Sequence, residues 1–190
     1  MRHHLLAYPE DAEAVAQDYQ YMFGPDVLAA PVVRKGRNKQ SVYLPCGDAW
    51  YSLTKGLSYD STDGRFTLAS TEMLAGGTQM EVSAELNELP PMMVRAGAIV
   101  PAIDPSVDTL NSATNKTVVS YAEDRKDLLH LWVFADAAGM ACHRMWDKSE
   151  FALVKESEAR LDSKNTVRFD ILDSNPRRNH IVQLLFSPIP

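Results

Sequence analysis

Twenty-five carboxylates, five histidines, two cysteines and three tryptophans are the side chains of this 190-residue chain with chemistry to offer. Acid–base work by carboxyl groups needs two of them converging on one reacting centre. The acidic residues here fall mostly in polar turn segments, where solvation alone accounts for them. Asp18 stands apart because it lies near the end of a helix-like stretch: it could orient a substrate shell, or bond backbone amides there. Asp26, beside Gly24-Pro25, reads as a turn residue. His3 and His4 are adjacent and would face opposite sides of a strand, so they cannot together serve one metal. His130, His143 and His180 occur singly in β-like segments without paired ligand spacing. Cys46 and Cys142 lie about a hundred positions apart, match no metal or redox spacing and read as unpaired thiols. Nucleophile elbows, Walker loops and dinucleotide fingerprints are missing from the sequence, so neither a cofactor nor a metal is expected. Aromatic rings are the remaining resource, because a flat ring can pack against an apolar ligand face. Trp50, Tyr51 and Tyr59 are candidates, with Trp132 and Trp146 further on, and for each the alternative is core packing.

The elements that must position these groups are mainly strands. Asp11 to Gln20 carries apolar residues at Ala12, Val15, Ala16 and Tyr19, predicting a helix with Asp11 as N-cap and a stop at Gly24-Pro25. Val27 to Val33 is a near-continuous apolar run of the kind buried on both faces of a parallel sheet. Residues 1–41 therefore read as strand, helix, strand. Beyond Pro31, short β-branched and aromatic runs (Ser41 to Leu44, Trp50 to Leu53, Arg65 to Ala69, Gln79 to Ser83, Met92 to Val94) alternate with glycine turns, the pattern of an antiparallel sandwich. Asp63-Gly64, between Tyr59 and Phe66, is the strongest hairpin signal. Apolar density drops between Ala102 and Asn111, which predicts a protease-sensitive linker. A second β series follows: Thr117 to Tyr121, Leu128 to Phe134, Ala141 to Trp146, Phe151 to Glu156, Thr166 to Ile171 and His180 to Phe186. The expected organisation is residues 1–41, a first sandwich over 42–105 and a second over 106–190.

Composition narrows the function classes. A net charge of −6, a pI near 5.3 and no basic block longer than Arg177-Arg178 argue against a polyanionic partner such as nucleic acid. Apolar residues amount to 45%, yet no run reaches the roughly 20 residues of a membrane helix. A soluble chain is expected, with no secretory leader before the first strand and its compartment open. Asn115-Lys116-Thr117 fits the N-glycosylation triplet.

Several segments together resemble one family. Arg2, Tyr8-Pro9-Glu10-Asp11, Asp18-Tyr19-Gln20-Tyr21-Met22-Phe23-Gly24, the run Pro25 to Val33, Val42-Tyr43-Leu44-Pro45 and Val94-Arg95-Ala96-Gly97-Ala98-Ile99-Val100-Pro101 are similar to the passage from the catalytic barrel of glycoside hydrolase family 31 into its C-terminal sandwiches. Trp50-Tyr51 falls where that family has a similar pair, there mostly packing and supporting the barrel. Leu128 to Phe134 and Ala135-Asp136-Ala137-Ala138-Gly139 resemble the start of the distal sandwich. The family's next acidic turn is replaced by Asp147-Lys148-Ser149-Glu150.

The resemblance implies a parent enzyme of the α-glucosidase and α-xylosidase group: retaining, exo-acting, with one aspartate as nucleophile and another as acid/base. Both aspartates belong to earlier barrel strands whose motifs do not occur here, so no catalytic residue is assigned. Trp50, Tyr51 and Asp18 remain as sugar-contacting or supporting residues. The expected role is a non-catalytic C-terminal part that braces the barrel and meets carbohydrate through its parent. The alternatives are a free-standing carbohydrate-binding module and a structural fragment that self-associates through residues 1–33, where Val27 to Val33 would have two unpaired edges.

Overall fold

The computed structural model describes residues 1–54, 57–60, 62, 65–68, 72–85, 89–111, 128–156, 166–176 and 178–186. The chain divides into two compact units, Met1–Ala98 and Ile99–Pro190. The architecture is mostly β, as the sequence predicts.

The first unit opens with a bridge between Arg2 and Met22, a 3-10 turn at His4–Leu6 and a single-turn helix α1, Ala12–Val15. Asp11 caps α1, its Oδ1 accepting the Ala14 amide at 3.0 Å. Four residues replace the predicted ten, because so short a helix has little intrinsic stability and Gln20 is drawn off to bond Tyr43. Strands β1 (Tyr21–Phe23) and β2 (Val27–Ala29) then form an antiparallel hairpin with Met22 opposite Leu28. This corrects the strand–helix–strand reading of residues 1–41. Pro31 lacks the N–H a longer strand would need, so the apolar run stops pairing early and Val33 is exposed. β2 is bonded to β1 on one edge and to β9 (below) on the other, so its edges are not orphaned. The reason for expecting self-association through this strand is thereby removed.

Strands β3 (Lys39–Leu44), β4 (Ala49–Ser52), β5 (Leu57–Asp60), β6 (Arg65–Leu68), β7 (Met73–Ala75), β8 (Thr78–Ser83) and β9 (Met92–Arg95) complete the unit. One sheet has the order β1-β2-β9-β4-β7, while β3 pairs with β8 and β5 with β6. The Asp63-Gly64 turn lies outside the described residues; the strands on either side of it pair with Tyr59 opposite Phe66 and Asp60 opposite Arg65. Met22, Leu28, Trp50 and Met93 of the large sheet meet Val42, Leu44 and Val82 of the β3–β8 pair in one buried cluster. Two layers closing on that cluster make a sandwich. Between β7 and β8 the chain passes so close to its neighbour that a Cβ on Gly76 would sit 2.2 Å from the Pro45 carbonyl oxygen.

The second unit is a six-stranded sheet. Its strands are β10 (Ala98–Ala102), β11 (Leu128–Phe134), β12 (Ala141–Arg144), β13 (Glu150–Glu156), β14 (Thr166–Leu172) and β15 (Asn179–Phe186), in the order β14-β13-β12-β10-β11-β15. β12, β13 and β14 run antiparallel in succession, whereas β11 and β15 pair in parallel, a departure from the all-antiparallel expectation. Alternate residues Leu129, Leu131 and Val133 turn to a core with Ile99, Ala141, Phe151 and Leu153, the two-residue period of a strand, while His130 and Phe134 on its other face are buried as well. The Phe151 and His180 rings meet edge-on at 5.7 Å although their strands are not sheet neighbours, so the sheet folds back over its own face. The predicted strand Thr117 to Tyr121 and the triplet Asn115-Lys116-Thr117 lie outside the described residues.

Candidate functional site

Polar side chains gather in three places. In the first unit, Arg95 at the end of β9 donates from Nη2 and Nε to Asp26 Oδ1 at 2.6 and 3.1 Å, and its Nη1 lies 3.6 Å from Asp48 Oδ1. Tyr8 donates its hydroxyl to Asp48 Oδ2 at 2.9 Å, and its ring rests 6.1 Å from that of Trp50. Burial, together with the Asp48 carboxylate, pushes the Tyr8 hydroxyl well above its ordinary pKa. Asp26 and Asp48 thus flank one guanidinium, which balances the buried Asp26 directly, while Asp48 shares it at longer range and is also bonded by the Tyr8 hydroxyl.

A second group ties the N-terminal segment to β3. The Gln20 carboxamide accepts the Tyr43 amide at 2.9 Å and donates to the Tyr43 carbonyl at 2.8 Å, the bonding a neighbouring strand would supply. Its Nε2 also lies 3.2 Å from Nε2 of the fully buried His4. Asp11 accepts the Cys46 amide at 2.7 Å and the Tyr43 hydroxyl at 3.2 Å. Burial would raise the Asp11 carboxyl, but the Cys46 and Ala14 amides and the Tyr43 hydroxyl hold it below its usual value. Both cysteines are free thiols.

In the second unit the turn between β12 and β13 is fastened to the start of β15. Arg178 lies 3.3 Å from both Asp147 Oδ2 and Asp173 Oδ1, and His180 Nε2 lies 2.6 Å from Asp173 Oδ2. The buried Ser149 hydroxyl sits 3.2 Å from Asp173 Oδ1 and accepts the Ser174 amide at 3.0 Å. Serine, histidine and aspartate are all present, but in a nucleophilic triad the histidine stands between the other two. Here the aspartate stands between, so the group facing Ser149 is the Asp173 carboxylate and not the His180 imidazole. His130 is likewise buried, with Nε2 3.2 Å from Asp104 Oδ2. Among the described residues, no three of His, Cys, Asp and Glu converge as metal ligands.

This network is expected to make the second unit acid-sensitive. The Ser149 amide, aided by Arg178, holds Asp147 at about 2 against an ordinary 3.8. Asp173 is lowered as well: burial opposes it, but the Asn175 amide, His180 and Arg178 prevail. Both carboxyls bind protons more weakly folded than unfolded, so their stabilisation is present above pH 4 and lost as pH falls toward 2. Denaturant midpoints of the second unit measured from pH 5 to pH 2 are expected to fall across that window, and Asp147→Asn to flatten the profile; an unchanged profile would remove Asp147 from this role.

The residues singled out from sequence are dispersed. Trp50 and Tyr51 on β4 are both fully buried and present no face to solvent. Trp50 donates its indole N–H to the Pro45 carbonyl at 3.2 Å. Asp18 is exposed, beyond the end of α1. Tyr59 lies on β5 and half-buried Trp132 on β11, while Trp146 stands 92% exposed. Sequence reasoning missed the roles of Asp48, Gln20 and the Asp147–Asp173–Arg178 network. Gln20 and Arg95 lie within the family-like segments, but only their partners reveal what they do.

The chain belongs to glycosyl hydrolase family 31: the family's C-terminal domain model matches residues 1–100. It is 32% identical over 108 residues to the alpha-xylosidase of Saccharolobus solfataricus, covering 57% of this chain and 13% of that protein. It is 28% identical over 160 residues to the lysosomal alpha-glucosidase of Mus musculus, covering 81% of this chain and 15% of that one. Its structure is similar to that of the family 31 alpha-xylosidase from Xanthomonas citri, with a TM-score of 0.53 and 27% identity over 80% of this chain and 15% of the other. The chain thus spans only a small part of the relatives it matches.

Proposed function

We propose that this chain is a non-catalytic brace for the barrel of a retaining α-glycosidase, and that it meets carbohydrate through that enzyme. The observation that carries the reading is the apolar surface left on the N-terminal segment: Leu6 is 71% and Phe23 60% exposed, with Leu5, Tyr19 and Val33 also exposed. Beneath them the segment is held by the Gln20, Asp11 and Arg95 contacts, so these side chains stand on a rigid base. A firmly held segment that leaves large apolar side chains in water suits a surface completed by another domain. The family match over residues 1–100 and the alpha-xylosidase and alpha-glucosidase relatives support a catalytic barrel as that domain. The division expected from sequence, with residues 1–41 belonging to barrel and 42–105 and 106–190 to two sandwiches, remains part of this proposal in this form: residues 1–41 are the part that meets the barrel, while β2 bonds them into the first unit's sheet through β9.

Leu6→Glu combined with Phe23→Glu is the test. In a polypeptide joining this chain to a family 31 catalytic barrel, the pair should shorten several-fold the half-life of its aryl α-glycosidase activity on heating. The unfolding midpoint of the chain alone should stay within about 2 °C, since exposed substitutions change stability little. The chain alone is expected to turn over no aryl α-glucoside or α-xyloside. An undiminished half-life in the joined polypeptide, or hydrolysis by the chain alone, would overturn the brace.

A further inference from the structure

We propose that Trp146, at the tip of the β12–β13 turn, is a stacking platform for a pyranose ring of a glycan. This goes beyond the brace and rests on it in one respect, the choice of sugar as the ligand.

The tip is built to hold one ring in water. Trp146 is nine-tenths exposed, whereas Trp50 is fully buried and Trp132 half-buried. A large apolar ring at so exposed a position adds nothing to the core. The turn beneath it is nevertheless tightly fixed. Met145 donates its amide to the Ser149 carbonyl at 2.8 Å, Lys148 donates to the Met145 carbonyl at 3.1 Å, and Ser149 donates to Asp147 Oδ1 at 3.0 Å. Lys148 adopts φ 72°, a left-handed conformation that a lysine holds only where its surroundings impose it. Asp147 is in turn anchored by Arg178, and Ser149 by Asp173 and Ser174, all across the gap between this turn and the start of β15. A tryptophan on a preorganised turn loses little further freedom on binding, which is how one exposed ring can yield usable affinity.

The surroundings choose the ligand. A protein partner would need an apolar interface core of several hundred Å². The neighbours of Trp146 in the turn, Asp147 and Lys148, are charged, and the strand pair directly below is Arg144 opposite Glu150, joined at 3.1 Å and largely exposed. One flat apolar ring on a turn whose exposed neighbours, Lys148 and the Arg144–Glu150 pair, are ionic suits a pyranose, whose C–H face packs on the indole while its hydroxyls stay among polar groups. The site is a surface platform without a cleft, so it suits a multi-residue chain, held weakly and released readily.

The test uses the whole chain and its three indole N–H resonances, titrated with maltoheptaose, with cellohexaose as a second arm and glycerol as the additive control. The expected result is a saturable shift of the Trp146 indole alone, with a dissociation constant of about 1 mM. Trp146→Ala should abolish binding by calorimetry, and Trp146→Phe should retain part of it. Because Trp146 is exposed, both variants should keep the parent unfolding midpoint, which separates loss of binding from loss of fold. No Trp146 shift up to about 20 mM of either oligosaccharide, twenty times that constant, would overturn the platform. So would equal shifts in glycerol, binding undiminished in Trp146→Ala, or Trp146 broadening that follows protein concentration without sugar. The brace is tested by half-life in the joined polypeptide, and neither result decides the other.

Discussion

Replacing Arg95 with methionine is expected to lower the unfolding midpoint of the first unit by about 10 to 20 °C. Asp26 is buried, its side chain only 5% exposed, and Arg95 supplies two donors to its Oδ1 at 2.6 and 3.1 Å. Removing one partner of a buried ion pair costs about 3 to 5 kcal/mol, because the remaining charge stays in a low dielectric. Arg95 keeps a third of its side chain in water, so solvent screening brings the cost below that range, to about 2 to 3 kcal/mol. In a unit of this size each kcal/mol moves the midpoint by roughly 4 to 8 °C. Arg95→Lys should recover only part of the loss, since a single ammonium cannot reproduce the two-donor fork. Asp26→Asn, Arg95→Met and the double variant close a thermodynamic cycle. A coupling near zero, or a midpoint within about 3 °C of the parent, would show that the pair does not hold the unit together.

Trp50→Ala should destabilise the same unit by about 3 to 5 kcal/mol, the usual cost of emptying a large aromatic site in a core. Trp50 lies at the centre of the cluster formed by Met22, Leu28, Val42, Leu44 and Met93, and its indole N–H satisfies the Pro45 carbonyl. Trp50→Phe refills most of the space but loses that hydrogen bond, so a loss of about 1 to 2 kcal/mol is expected. Neither variant should alter the glycan response of Trp146. Denaturant titration with near-ultraviolet dichroism reads the stability, and the Trp146 indole shift reads the binding. A Trp50→Ala chain of parent stability that no longer responded to glycan would reverse the roles given to the two tryptophans.

The sequence carried its β character because strands of alternating or wholly apolar residues between glycine turns have few other ways to bury their surface. Leu128 to Phe134 emerged as β11 with unchanged limits, and Arg65 to Ala69 and Gln79 to Ser83 shifted by a residue or so. Short apolar runs carry less information. Val27 to Val33 has the composition of a strand buried on both faces, and Val27 to Ala30 is buried. Yet an antiparallel strand deep in a sandwich has that composition too, and periodicity does not record which edges are paired. The aromatic candidates show the same limit. Trp50 and Trp146 both lie in β-rich surroundings, and nothing in their immediate neighbours says that one centres a core and the other stands in solvent.

By itself the sequence determined a β-rich chain of family 31 character, since strand periodicity, turn residues and the segments from Tyr8 to Pro101 are local properties written in consecutive residues. Only the tertiary structure decided that β1 and β2 form a hairpin, that Ala98–Ala102 joins the sheet of β11 and β12, and that β15 lies parallel to β11. Tertiary structure also decided that Arg95 closes on Asp26 from 69 positions away, and Arg178 on Asp147 from 31. Pairing partners across such separations are chosen by the free energy of the whole packed unit, in which each side chain's burial depends on every other, so no window of consecutive residues can contain them.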